Sequence, residues 1–203
     1  MKITSIKQQV KRAGRYSIFV DEKYAFSLSD TALLDSKLTT GQEVSSEQVK
    51  ALKQASVDDK LYNQTLNYLV IRPRSQWEIE FYLQRKKASP TLIQTILNKL
   101  SINKLIDDEA FARAFVNDRR LLRPASRRKI IAELRKKRVT EEAIQAAVGS
   151  EPEDEATALR TIIERKRRQT KYRDNLKLMQ YLARQGFNYG DIKNALNQSD
   201  LPD

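Results

Sequence analysis

One spacing of apolar residues occurs three times along the chain. Leu83, Leu134 and Leu182 each have an aliphatic residue four positions earlier (Ile79, Ile130, Leu178). Each is followed ten positions later by isoleucine (Ile93, Ile144, Ile192) and fourteen later by Leu97, Val148 or Leu196. The register shifts by 51 residues and then by 48, close to the period of a helical repeat array. Between these positions the polar residues keep a helical rhythm, and helix breakers divide each copy into three helices.

In the first copy Leu61, Tyr62, Leu66 and Leu69 give one helix face, and Arg72-Pro73-Arg74 ends it because the residue before proline disfavours helix. Ser75 with Glu78 forms a capping box for the next helix, and Ser89-Pro90 opens a third. In the second copy Asp107 and Asp108 cap a helix faced by Phe111, Phe115 and Val116. Pro124-Ala125-Ser126 starts the middle helix, and Thr140-Glu141-Glu142 starts the last. The acidic stretch Glu151-Pro152-Glu153-Asp154-Glu155 reads as a linker or a cap between repeats. A third copy follows, with Leu159, Ile162 and Ile163 on its first helix and Gly186 placed to end its middle one. Residues 199–203 read as a frayed end.

The N-terminal segment has a different period. Tyr16, Ile18 and Val20, then Tyr24, Phe26 and Leu28, alternate as in half-buried strands, with Asp21-Glu22-Lys23 between them as a hairpin turn. Ile3 to Val10 supplies a third strand, Ser29-Asp30 starts a short helix, Gly41 marks a turn, and Ser45 with Gln48 caps a helix carrying Val49 and Leu52. The expected fold is mainly α: tandem three-helix repeats in an elongated array, with a small N-terminal antiparallel β module. The expected boundaries are 1–55 for the β module and 56–105, 106–150 and 151–203 for the repeats. A unit of about 40–45 residues buries little surface alone, so bendable joints are expected at 101–106 and 149–155.

Composition narrows the chemistry. The 203 residues include no cysteine and no histidine, which excludes thiol chemistry, a Ser-His-Asp triad and an ordinary zinc site. Five glycines write no phosphate loop. No catalytic set, cofactor site or metal site is identified, and the chain is expected not to be an enzyme. No apolar run approaches the ~18–20 residues that cross a bilayer, and no signal-peptide core is present. A cytoplasmic, monomeric protein is the expectation.

Charge points to a partner. Thirty-eight basic residues against 26 acidic ones give +12, which favours an anionic surface or nucleic acid. Residues 119–138 hold ten basic residues and one acid (+9); residues 160–173 hold seven and one (+6). On a helical wheel from Ile130, Arg128, Lys129, Arg135 and Lys136 fall about 140–260° away, opposite the stripe of Ile130, Ile131 and Leu134, and are expected to form a continuous basic outer face. Arg127 falls on the apolar side without a role. The candidate binding residues are Arg72, Arg74, Arg85 and Lys86 in the first repeat. In the second they are Arg119, Arg120, Arg123, Arg128, Lys129, Arg135, Lys136 and Lys137, and in the third Arg165, Lys166, Arg167 and Arg168. Aromatic residues are scarce there (Trp77, Phe81 and Tyr82), and Trp77 and Phe81, four apart on a helix, are read as packing residues rather than base-stacking platforms.

The motifs Arg72-Pro73-Arg74-Ser75 with Glu78-Ile79, Ile106-Asp107-Asp108 with Phe111-Ala112, and Asp118-Arg119 resemble the RecX regulatory proteins. Pro124 to Ser126 with Ile130 and Glu133-Leu134, and Tyr181-Leu182 with Gly186-Phe187, continue the resemblance over roughly residues 60–197. Lys137-Arg138 departs from the Lys-Gly usual there, and the β segment lies outside the part that carries the resemblance, though similar extensions occur in some members. The resemblance implies a non-enzymatic, mainly negative regulator of RecA that binds the groove of the RecA–DNA filament, limits ATPase and strand exchange, and contacts DNA. It places the chain in homologous recombination, DNA repair and the SOS response. Two other readings remain open: a direct DNA-binding protein built from helix-turn-helix-like modules, and a hydrolase or nuclease using Asp107 and Asp108 for a metal, against which paired acids at a helix start are far more often caps.

Overall fold

The computed structural model describes residues 1–149 and 152–199, with the side chains of 152–154 and 199 outside that description. Three strands, β1 (Ile3–Gln8), β2 (Arg15–Val20) and β3 (Lys23–Ser29), pair antiparallel in the order β1-β2-β3. The turn between β2 and β3 places Asp21 (φ 48°) and Glu22 (φ 66°) in the left-handed region, as the two-residue hairpin turn that matches strand twist requires. Among the described residues ten α-helices follow: α1 (Asp30–Ser36), α2 (Ser46–Ile71), α3 (Gln76–Arg85), α4 (Pro90–Ile102), α5 (Asp108–Leu121), α6 (Arg127–Lys136), α7 (Glu141–Val148), α8 (Pro152–Arg167), α9 (Asn175–Arg184) and α10 (Tyr189–Ser199).

The chain divides into two compact units, Met1–Arg72 with Leu83–Ile96, and Pro73–Tyr82 with Leu97–Asp203. In the first, Ile3, Ile18, Val20, Phe26 and Leu28 of the sheet pack with Val44 and Val49. Beside that core lies a buried polar network. The Arg15 guanidinium donates to Ser27 Oγ (2.9 Å), the Ser27 carbonyl (3.0 Å) and Asp59 Oδ2 (3.1 Å). Asp59 also accepts from the Ser29 backbone N–H (3.0 Å), the Ser29 hydroxyl (2.5 Å) and Asn63 (3.0 Å). With side chains only 10% and 9% exposed, this pair needs its full set of bonds to offset desolvation. It fastens the sheet to α2.

Helix α2 corrects one feature of the sequence reading. The helix begun by the Ser45–Gln48 capping box and the one carrying Leu61 to Leu69 are a single helix of 26 residues, because nothing between them breaks it. It ends where proline demands: Arg72 is extended, with φ −166° and ψ 159°.

The twelve positions of the repeated spacing are all buried, none more than 7% exposed, so the repeat is a core pattern. In the second unit, α5–α7 close one cluster around Phe111, Val116, Ile130, Leu134, Ile144 and Val148. Helices α8–α10 close another around Leu159, Ile163, Leu178, Leu182, Ile192 and Leu196. Each three-helix repeat here has its own core.

The linker reading is corrected from residue 152 onward. Helix α8 runs from Pro152, a residue that fits a first helical turn because its missing N–H would have no partner there. Ser150 and Glu151 of the expected joint, and residues 200–203 of the expected frayed end, lie outside the described residues. At 101–106, α4 closes in a bonded helix end: Leu105 N–H donates to the Leu100 carbonyl (2.9 Å) and Lys104 N–H to that of Ser101 (2.9 Å).

Candidate functional site

Helix α6 is the centre of the basic region, and its ends explain its position. Ser126 caps it, accepting from Lys129 N–H at 3.1 Å, and donates its hydroxyl to the Gln185 carbonyl at the C-terminus of α9 (2.7 Å). The same device recurs one repeat earlier: Ser75, the cap of α3, donates to the Lys137 carbonyl at the C-terminus of α6 (3.1 Å). The N-terminus of one middle helix therefore sits on the C-terminus of the next. Because α9 approaches the first turn of α6, one flank of α6 is covered.

That flank includes Lys129. It is half-buried and donates to Gln185 Oε1 at 2.5 Å, so the continuous outer face expected of Arg128, Lys129, Arg135 and Lys136 is interrupted. Arg135 is exposed but paired in bidentate fashion with Glu141, at 3.0 and 2.8 Å. That pairing holds the Glu141 carboxyl below its ordinary range, with the Gln145 amide adding to the effect. Arg128 and Lys136 are exposed and have no ion pair among the described residues. Arg127 acquires a place that the wheel did not give it: its guanidinium donates to Gln145 and its N–H to Glu155.

The other candidates divide in the same way. Arg119 is held by Glu133 (2.7 Å) and lies 4.6 Å over the Phe115 ring. Arg120 donates to the Val148 carbonyl at 2.9 Å. Lys137 pairs with Glu78 at 2.6 Å and faces the Phe111 and Phe115 rings. Arg119 and Arg120 tie the second repeat together from within, and Lys137 joins it to α3 of the first. Arg165 reaches the Leu122 carbonyl (3.4 Å), and Arg167 binds the Arg173 carbonyl and Asn175. Lys166 lies over Tyr181 (4.6 Å) and Tyr172 (5.1 Å). Arg123 and Arg168 are exposed. In the first repeat Arg72 is exposed at the end of α2, Arg74 is half-buried before α3, and Arg85 and Lys86 are exposed where α3 ends.

The structure brings together residues that the sequence lists separately. Arg119, Arg123 and Lys129 of the second repeat and Arg165 and Lys166 of the third line one cleft of about 410 Å³. Gln185 and Tyr181 line the same cleft but carry no charge, so the charge pattern does not point to them. Sequence marks Ser126 as a cap but does not show the link; its 51-residue offset from Ser75, equal to that from Leu83 to Leu134, is the signal that the two serines share a role.

Asp107 and Asp108 serve helix ends. Asp107 accepts from Glu109 and Ala110 N–H (2.9 and 3.0 Å), and Asp108 accepts from Gln76 N–H in the first turn of α3 (2.8 Å). Burial pushes the Asp108 carboxyl above its ordinary range; the Gln76 N–H pulls the other way, while the charges on Asp107 and Glu78 add to the rise. Among the described residues no group of three or more acids could hold a metal ion, and no helix is long and apolar enough to cross a membrane.

Comparison with known proteins covers most of the chain. Residues 1–45 match the family model "Regulatory protein RecX N-terminal domain". Residues 62–100, 107–148 and 153–196 match the first, second and third RecX three-helix domains. The β segment, which the sequence left outside the resemblance, thus belongs to the shared architecture. The regulatory protein RecX of Halalkalibacterium halodurans is 31% identical over 188 residues, 90% of this chain and 71% of that protein. That of Lactobacillus johnsonii is 36% identical over 143 residues, 70% and 52% respectively. That of Bacillus subtilis is 29% identical over 201 residues, 97% and 76%. The chain therefore spans about half to three quarters of the length of these relatives. A crystal structure of regulatory protein RecX superposes with a TM-score of 0.73 at 30% identity, covering 97% of this chain and 98% of that one. RecX from Lactobacillus salivarius gives 0.59 at 25% identity, covering 73% and 99%.

Proposed function

We propose that this chain, which belongs to the RecX regulatory protein family, is a non-enzymatic and mainly negative regulator of the RecA recombinase. It binds the groove of the RecA–DNA filament through its basic helical surface and so modulates ATP hydrolysis and strand exchange. The observation that carries this reading is the outward charge of α6: Arg128 and Lys136 are exposed with no acidic partner among the described residues. Cations left open in this way are available to an anionic polymer, and their contribution falls as salt screens them.

The test adds the protein to RecA assembled on single-stranded DNA and follows ATP hydrolysis. Suppression that rises with protein concentration is expected; unchanged hydrolysis at saturating protein would overturn the reading. Affinity for naked DNA, measured in the same buffer, separates the filament from DNA alone. On duplex DNA a direct binder shows log K falling by about 0.9 per phosphate contact with log salt. The proposal requires tighter binding to the filament than to bare strands.

A further inference from the structure

The cleft between the second and third repeats has the properties of an anion site. Five cations line it, Arg119, Arg123, Lys129, Arg165 and Lys166, against one carboxylate, Glu133, which leaves +4. Four of the five are held in place. Arg119 is fixed by Glu133, Lys129 by the neutral Gln185 amide oxygen, Arg165 by the Leu122 carbonyl and Lys166 by the Tyr181 ring. Neutral oxygens and an aromatic face orient Lys129, Arg165 and Lys166 without cancelling their charge, whereas Arg119 is paired with Glu133. Like charges gathered in one cleft repel, and a bound anion relieves that repulsion with little further ordering of side chains.

We propose that this cleft binds a compact phosphoanion of two or three linked phosphates, supplied either free or as neighbouring phosphates of a nucleic-acid strand. The reasons are charge, shape and size. A net +4 matches a multiply ionised anion better than a single carboxylate. Three of the cations are arginines, whose planar forks suit phosphate oxygens. The volume, about 410 Å³, equals that of roughly a dozen waters at ~30 Å³ each, enough for linked phosphates. The site goes beyond filament binding and needs no RecA for its test.

The experiment is calorimetric titration of the full chain with sodium triphosphate, at an ionic strength held constant with sodium chloride. Saturable one-to-one binding is expected, weakened tenfold or more in Arg123→Gln/Arg165→Gln and unchanged in Lys53→Gln, which removes a similar charge from α2. Thermal melting in the same buffer checks that the variants fold, and Lys166→Gln is a second variant through a different residue. Triphosphate is then titrated against a bound oligothymidylate. Displacement identifies strand phosphates as occupants of the same cleft; triphosphate binding without displacement identifies a site for the free anion. No saturable triphosphate binding, or binding that both cleft variants leave unaltered, overturns the proposal.

Discussion

The hydroxyl of Ser126 stands between two helices, accepting from Lys129 N–H at the start of α6 and donating to the Gln185 carbonyl at the end of α9. Ser126 is fully buried, so alanine there removes a cap, worth about 1 kcal/mol, and strands a carbonyl at a further cost of roughly 1–3 kcal/mol. Thr140, an exposed cap with no second bond of this kind, provides the comparison. Ser126→Ala should lower unfolding stability about twice as much as Thr140→Ala or more in urea denaturation. Equal losses would mean that the link to α9 adds nothing.

Gly186 faces the same hydroxyl. Its φ is +90°, and a Cβ added there would lie 2.6 Å from Ser126 Oγ. Gly186→Ala should therefore cost about 1–2 kcal/mol for the left-handed backbone, with a further ~1–3 kcal/mol for overpacking. Removing the hydroxyl relieves only the second part. Ser126→Ala/Gly186→Ala should accordingly be more stable than the sum of the single losses predicts, which a double-mutant cycle reads directly.

Arg138 occupies the corresponding position after α6, with φ 55°. This explains why glycine suits it and what the arginine retains: its guanidinium lies 5.9 Å over the Trp77 ring. Glycine relieves about 1–2 kcal/mol of left-handed strain and forfeits ~0.5–1 kcal/mol of cation–π contact. Arg138→Gly should raise the melting temperature slightly; a fall would show that the ring contact dominates.

Asp108 makes stability depend on pH. Its folded pKa is raised, so its contribution is fully present below the unfolded value, ~3.9, and is lost as pH rises through the folded value. Asp108→Asn keeps an oxygen for the Gln76 N–H and removes the charge. The variant should be at least as stable as the parent at neutral pH, and its melting temperature should change less with pH from the ordinary aspartate value upward. A melting profile parallel to the parent's would count against this origin.

Charge reversal separates the surface from the scaffold. Arg128→Glu/Lys136→Glu should leave the melting temperature nearly unchanged, since exposed cations contribute little, while lowering RecA-filament affinity by tenfold or more at low salt. Lys129→Gln should show the reverse order, a lower melting temperature from the lost Gln185 bond and a smaller effect on the filament. If both act alike, the division between open and engaged cations is mistaken.

Local signals were legible in the sequence. The caps at Ser45, Ser75, Asp107, Ser126 and Thr140, the Asp21-Glu22 hairpin and the buried spacing all follow from neighbours within a few turns. What was not legible joins residues far apart. Arg15 and Asp59 are 44 positions apart, Lys129 and Gln185 are 56, and neither bond leaves a periodic trace. The helical wheel placed Lys129 on the outer face because it treats a helix as standing alone, whereas the approach of α9 decides which flank faces solvent. The same limit hid the cleft, whose cations come from elements read as separate runs.

The Arg15–Asp59 network has a consequence for any shortened form of the protein. A fragment starting at residue 46 would retain Asp59 on α2 but lose the guanidinium, the Ser29 hydroxyl and the Ser29 amide that now surround its carboxylate. The uncovered face would be polar at that point and apolar at Val49, an invitation to misassociation. The strands thus act as a lid whose removal alters the helix beneath it, and activity lost on trimming them would report damage to α2 as readily as a missing binding element.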